Sequence, residues 1–432
     1  MITLAPLDAV LRGWLARRPR MAAALRGATP GWSSWTSATT LSEVARRSWV
    51  VAPAEAATTP AAICDADDLL RVTRVDADSS RDIEWRRIRG GRIEWRASLA
   101  YELRDAVLSR GHVILAQMLR AVVPGPAPLW ARYQETEDRV SLLTATFNGS
   151  RYFGHWVMDE LTRLLAAPGI GQPVAPPRKM SMHQRQYPAL LGAQPTDRTD
   201  VRFRQLVILD ERNQNAYRRE RFQVLRQRAR SGRACADATG VMLLRRQTGV
   251  ARILANEEEL AERLAARGFR ALCPTEHSVD EILDACMDAK VVVGVEGSQL
   301  IHALLVMHPG GTLVTLQPPG RFNNILKTYC DGLDLRYAFV VGHPCDGGFR
   351  VGPDQLARLL DRVRGSWPPI QHMRAACCRC TIPIVGRRAP GVLRVHASEL
   401  PESSRPASSF GLSRRIAPAA VQGELPLLTC CN

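Results

Sequence analysis

Three short stretches carry residue types at spacings that suit chemistry. In "NGSRYFGHWVMDELTRLL" (148–165), His155 and Asp159 stand four residues apart, on one face of a helix read from about 155. A carboxylate that orients an imidazole tunes a general base near neutral pH. Val157, Leu161 and Leu164 fall on the opposite face and are expected to dock on a core. That turns the His155/Asp159 pair toward a cleft or toward water. The alternative is an exposed helix pair with no role. The aromatic lead-in "RYFGHW" suits a wall on which a sugar ring stacks, so Trp156 and the neighbouring Glu160 are candidates for contact with an acceptor.

The second stretch is "VVVGVEGSQLIH" (291–302). Here an apolar strand runs into a bend, and ligands of open parallel sheets sit at such carboxyl ends. Gly294 and Gly297 permit tight turns and close backbone approach. A helix read from Ser298, with Gln299 in its first turn, aims free amides at the same spot and suits a phosphate. Glu296 beside it suits a sugar hydroxyl, a ribose or a proton to be moved; the alternative is a simple helix cap. "SQLIHALLVM" is apolar nearly all round and is therefore read as buried, with His302 a core histidine. The third stretch is "LLRRQTGVARILANEEEL". Arg245 and Arg246 end a strand and Arg252 follows in the loop, an arrangement that grips a diphosphate bidentately. The general arginine excess of the chain is the competing explanation. Glu257 belongs either to this donor-binding group or to the compensation of a helix dipole.

The elements that must position these residues are most regular from 241 onward. "VMLL", "FRALCP", "VVVG" and "TLVTLQ" read as strands, alternating with helices "NEEELAERLAARG", "SVDEILDACMDA" and "SQLIHALLVM". Asn256 with Glu259, and Ser278 with Glu281, predict capping boxes, and Gly268 marks a helix end. Such alternation with short links predicts an α/β fold with a parallel, doubly wound sheet. Earlier, "GHVILAQ" (111–117), "VSLLTATF" (140–147) and "RQLVILD" (204–210) read as strands, and the arginine-rich segment 216–233 as a helix before a hinge at "SGRACADATG". We divide the chain into an N-terminal acceptor-side α/β domain (1–215), a C-terminal Rossmann-like domain that binds a nucleotide sugar (216–368) and a disordered tail (369–432).

Of the 432 residues 46% are hydrophobic, enough for sizeable cores. The formal net charge is +16, yet only Lys179, Lys290 and Lys327 are lysines and the other 55 basic residues are arginine. Residues 178–233 hold 14 Lys/Arg against 5 Asp/Glu. That stretch suits an anionic partner, including a peripheral membrane contact, or is a solvated basic face. It has few aromatics and no nucleic-acid module, so a nucleic-acid partner ranks last. The N-terminus has no run long enough for a signal h-region or a membrane span, which points to a cytoplasmic protein, peripheral at the inner membrane face. Of eleven cysteines, six are scattered singly and read as small hydrophobes. "CCRC" (377–380) has poor zinc spacing, and no metal is expected.

Taken in order, these stretches resemble glycosyltransferase family 61 over about residues 148–345. "GHWVMDELTRL", "LLRR…RILANEEEL" and the block "HSVDEILDACMDAKVVVGVEGSQLIHALLVMHPGGTLVTLQPP" carry the resemblance. Where the family's glycine loop usually reads His-Gly-Ala-Gly-Leu, this chain has Glu296-Gly297-Ser298-Gln299-Leu300; it also has Ile282 and Thr315 where a glutamine and an acid are usual. The resemblance implies a GT-B architecture, two Rossmann-like domains facing a cleft. It also implies inverting transfer from a nucleotide sugar without a metal or other cofactor, to a polysaccharide or glycolipid precursor such as a capsule glycan. Asp159 with His155 is then the expected base, Glu296 the runner-up base or a hydroxyl ligand, and Arg246 and Arg252 would steady the departing diphosphate. The rival is a catalytically silent glycan- or nucleotide-binding module of the same fold.

Overall fold

A computed structural model describes residues 2–4, 40–211, 214–235, 239–246 and 252–365. The expected tail from 369 lies outside the described residues, as does part of the expected hinge, 236–238.

Two main sheets organise the chain. The first contains β1 (Arg47–Ala52), β2 (Ser98–Leu103), β3 (Ser141–Leu143), β4 (Gln172–Ala175), β5 (Thr196–Asp197) and β6 (Leu206–Asp210), in spatial order β5-β4-β3-β6-β2-β1. The four strands β5, β4, β3 and β6 run parallel, while β2 and β1 join antiparallel. The stretch 111–117 does form a strand, His112–Leu115, but in a separate five-stranded sheet. That sheet covers one face of the first, with Leu108, Val113 and Phe203 packed among Tyr101, Leu143 and Ile208.

The second sheet is all parallel: β7 (Gly240–Leu243), β8 (Phe269–Leu272), β9 (Val291–Val295), β10 (Thr312–Gln317) and β11 (Arg336–Val341) lie in the order β8-β7-β9-β10-β11. Counted along the chain this is 2-1-3-4-5, a doubly wound order whose switch point lies between β7 and β9. The "VVVGV" of β9 is buried on both faces, as a central parallel strand requires. Its alternate residues serve two cores. Val292 joins one apolar cluster, whereas Val291 and Val293 join another.

The helices that matter here, with their bounds, are α1 (Arg81–Arg89), α2 (the run 153–166), α3 (Met182–Leu191), α4 (Ala216–Arg230), α5 (Glu257–Ala265), α6 (Val279–Cys286), α7 (Ile301–Val306), α8 (Ile325–Gly332) and α9 (Pro353–Gly365). Helices α5 and α9 cover one face of the second sheet through Leu260, Leu264, Leu356 and Leu360. The other face packs on α6, α7 and α8, and that same cluster takes in Val157 and Leu161 of α2, Tyr187 of α3 and Phe222 of α4. The two halves therefore share one apolar core.

Ser278 and Glu281 form the expected capping box at α6, and Gly268 follows α5 at φ +80°. Asn256 departs from expectation. Its side chain pairs with the backbone of Val351, donating to the carbonyl (2.8 Å) and accepting from the amide (3.2 Å), and it does not cap α5. The arginines of α4 also depart from a solvated face. Arg218, Arg221 and Arg226 are buried. Arg226 donates to the carbonyls of Leu304 and Met307 (2.8 Å to the latter), which the end of α7 leaves without helical partners. Of the scattered cysteines, Cys273, Cys286 and Cys330 are buried thiols and none of the six is in a disulfide.

One segment crosses between the halves. Ile63 pairs with β11, its amide donating to Tyr337 O (2.9 Å) and its carbonyl accepting from Phe339 N (3.0 Å). Asp68 accepts from Val341 N (2.9 Å), and Val75 bridges to Phe322. Residues 62–90 thus lie on the second sheet although they precede β2 of the first. Among the described residues, no helix is long and apolar enough to cross a membrane.

Candidate active site

Helix α2 begins beyond the carboxyl end of β3 and is not a plain α-helix. Between Phe153–His155 and Thr162–Ala166, residues Trp156–Leu161 form a π turn. A π turn leaves carbonyls poorly matched to the helical ladder, and here other groups take them up. The Thr162 hydroxyl donates to Met158 O (2.9 Å), Arg218 Nη2 donates to the same oxygen (2.8 Å), and Arg221 Nη1 donates to Thr162 O (3.0 Å). Inward arginines of α4 thereby hold the turn open.

The turn carries the acid of the His155/Asp159 pair. His155 donates its Nδ1–H to Asp159 Oδ2 (2.8 Å), which leaves Nε2 as an acceptor. Asp159 Oδ1 is ion-paired with buried Arg218. Burial alone would raise the Asp159 carboxyl, but Arg218, the hydrogen bond from His155 and nearby Arg163 outweigh it and hold it well below the usual carboxylate range. Asp159 is therefore a fixed anion that orients His155. Both side chains are partly exposed, at 30% and 21%. As expected, Val157, Leu161 and Leu164 are buried on the opposite face.

Trp156 and Glu160 are buried as well. Trp156 packs edge-on against Tyr187 (5.7 Å between centroids), and Glu160 pairs with Arg178 and accepts from Thr146 N (2.8 Å). Both hold α2 in place from beneath. His302 is a core histidine: it stacks on Phe153 at 4.6 Å, meets Tyr187 Oη through Nδ1 (2.9 Å), and burial pushes it down to about 3.

At the second sheet, β7 and β9 end side by side. The loop after β9 places Glu296, which is 4% exposed, among guanidinium groups. Arg252 Nη1 donates to Glu296 Oε2 (2.6 Å) and to its carbonyl (3.0 Å), and Arg245 Nη1 donates to that carbonyl as well (3.0 Å). Burial raises the Glu296 carboxyl; Arg252, Arg321 and Arg245 oppose it. Burial together with Arg252 pushes Arg245 down to about 10. Gly297 is required by close approach: a Cβ there would lie 2.5 Å from Arg245 Nη1 and 2.4 Å from Gln299 Oε1. Gln299 itself donates to Val295 O (2.6 Å), and Gly294 lets Leu300 pack on the strand. Glu257 accepts from the backbone amides of Arg245 (2.9 Å) and Arg246 (2.6 Å), so it fixes the loop after β7. Arg246, at φ +53°, is not in the cluster. Its side chain is half-exposed, 3.5 Å from Glu276. The first turn after Gly297, Ser298–Leu300, is 3-10 and not α-helical.

The two groups adjoin. Gly154, immediately before His155, lies against the loop after β9, where a Cβ would come 3.2 Å from both Ser298 Oγ and Ile301 Cγ1. Tyr152, on the same lead-in, is 6.0 Å from the His155 ring. An open apolar groove of about 490 Å³, lined by Leu164, Pro168, Ile170 and Pro173, contains none of these residues.

A family model described as Glycosyltransferase 61 matches residues 153–314. That segment of the chain is similar to glycosyltransferase family 61. Sugar transfer is the activity that the matched family's description names. The family 61 segment opens on the first residue of α2 and closes within β10, so it contains His155, Asp159, Arg218, the two strand-end loops and Glu296. No curated protein matches the chain. Two residues at the site escaped the sequence reading and lie outside the family 61 segment: Arg321, in the loop after β10, and Asp76, which ion-pairs with it. A strand end followed by "PPGR" was a usable signal for Arg321. Nothing local marked Asp76. It opens an Asp-x-Asp run, but its carboxylate is taken by Arg321 and by the amide of Asp78 (3.0 Å).

Proposed function

We propose that this protein is an inverting glycosyltransferase that moves a sugar from a nucleotide-sugar donor to a hydroxyl of a polysaccharide or glycolipid precursor. The observation that carries the reading is the His155–Asp159–Arg218 relay set against the arginine-lined switch point of the second sheet. In this reading His155 Nε2 takes the proton of the acceptor hydroxyl as its oxygen attacks the anomeric carbon. The bond from that carbon to the donor phosphate breaks, and the nucleoside diphosphate leaves with the electron pair. Asp159 keeps the imidazole in the required tautomer and stabilises the imidazolium that forms. Arg245 and Arg252 face the developing charge on the leaving group. Arginine supplies the positive charge, so the reading needs no metal. Glu296, enclosed by guanidinium groups, organises them and is a poor candidate for the base.

We read the two main sheets as the two halves of a GT-B arrangement. The segment after β3 that carries His155 and the loop after β9 that carries Glu296 meet at the Gly154–Ser298 contact, which supports this. The test is a transfer assay over a panel of sugar nucleotides with lipid-linked and free glycan acceptors, comparing wild type with His155→Gln. Transfer by wild type and none by the variant is expected. Nucleotide binding with no transfer by wild type would sink the enzyme reading in favour of a silent binding module.

A further inference from the structure

Arg321 occupies the loop that leaves the carboxyl end of β10, beside the end of β9. Its Nη2 is ion-paired with Asp76, which is 5% exposed. Its Nη1 is buried, makes no hydrogen bond among the described residues, and stands 3.5 Å from Glu296 Oε2. Arg252 Nε, in the same cluster, is also buried without a hydrogen-bond partner among the described residues. A buried donor left unmade is costly, and two of them converge where a strand-end ligand of a doubly wound sheet sits.

The support behind Arg321 is built. Asp76 holds the guanidinium, Asp76 N donates to Phe322 O (3.0 Å), and Phe322 N donates to Arg74 O (3.0 Å). We propose that Arg321, held in place by Asp76, is a third phosphate-gripping arginine of the donor site, acting with Arg245 and Arg252 on the diphosphate of the nucleotide sugar. This rests on the donor-site reading above. Arg321 touches the ligand; Asp76 is a positioning residue, delivered by a segment that starts on the other side of the molecule.

The test measures binding of inorganic pyrophosphate, UDP and GDP by calorimetric titration, with thermal unfolding of each unliganded variant alongside. Arg321→Gln alone leaves buried Asp76 uncompensated, so the double variant Asp76→Asn/Arg321→Gln is made as well. The double variant is expected to weaken the tightest of these ligands about tenfold to a hundredfold, the loss of one charge-assisted contact. Arg321→Lys should restore part of the affinity. Asp76→Asn should raise the donor KM while kcat stays within about threefold, a split that general loosening of the fold would not produce. If the Arg321 variants bind as tightly as wild type while Arg252→Ala does not bind, the inference is overturned and the donor site stands. If wild type binds none of the three ligands, the donor site falls and this inference with it.

Discussion

Replacing Asp159 by Asn changes one charge and almost no volume, and the structure says what each atom loses. Oδ1 faces buried Arg218, and Oδ2 accepts from His155 Nδ1 at 2.8 Å. Arg218 keeps the carbonyls of Met158 (2.8 Å) and Glu211 (3.0 Å), so its guanidinium retains acceptors. Arg218 does lose its counter-ion, so the stability cost is that of a broken buried ion pair, about 3–5 kcal/mol. The kinetic cost is separate. The amide oxygen will face Arg218, which turns the NH2 group toward His155 and makes Nδ1 an acceptor. The imidazole proton moves to Nε2, and under the proposed mechanism the ring can no longer take a proton from an acceptor hydroxyl. Losing general-base catalysis costs about 10²- to 10⁴-fold, roughly 3–5 kcal/mol of barrier. The assay is the initial rate of transfer at saturating donor, with nucleoside-diphosphate titration and a thermal melt on the same preparations. The expected result is that fall in kcat with nucleotide affinity unchanged. A kcat within about threefold of wild type in a folded variant would refute the relay. Parallel loss of nucleotide binding would recast Asp159 as a support for the donor loop.

Other perturbations separate the remaining roles. Glu296→Gln should keep transfer within about tenfold, because its part is to organise arginines, whereas a complete loss matching that of His155→Gln would make Glu296 the base. Gly154→Val puts a side chain 3.2 Å from Ser298 Oγ and Ile301 Cγ1; it should cost about 1–3 kcal/mol in a thermal melt and slow transfer, and an unchanged melt would mean that the contact is loose. His302 is protonated near 6.5 in the unfolded chain but only at about 3 in the fold. Between those values the unfolded state binds the extra proton, so stability falls as pH drops, by about 1.6 kcal/mol from pH 6.5 to 5. A His302→Gln variant should lose that share of the acid sensitivity in paired melts at the two pH values, and equal sensitivity would place His302 in a more solvated site.

What the sequence made legible follows from how local each signal is. The parallel sheet was readable because each strand is a short apolar run bounded by helix caps, and a strand buried on both faces needs no partner information to be recognised. The helical spacing of His155 and Asp159 likewise predicted a real contact. The π turn beneath them was not readable, because Arg218 and Arg221, some sixty residues away, hold it open. The same distance hid the inward direction of the α4 arginines: composition counts charges but not the carbonyls of α7 that receive them. Asn256 failed as a cap because Val351 offered it two backbone groups at once. Asp76 was invisible for the plainest reason, since its partner Arg321 lies 245 positions further on and only the crossing of residues 62–90 brings them together.

That crossing also decides how the molecule can be taken apart. A fragment cut after the first sheet and expressed alone from about residue 216 would leave β11 with a bare outer edge, because Ile63 would be gone. It would strip Val341 of its carboxylate acceptor and leave Arg321 without its counter-ion. Neither half is a separable cassette for grafting. Any chimera that takes the C-terminal half would have to carry residues 62–90 along with it.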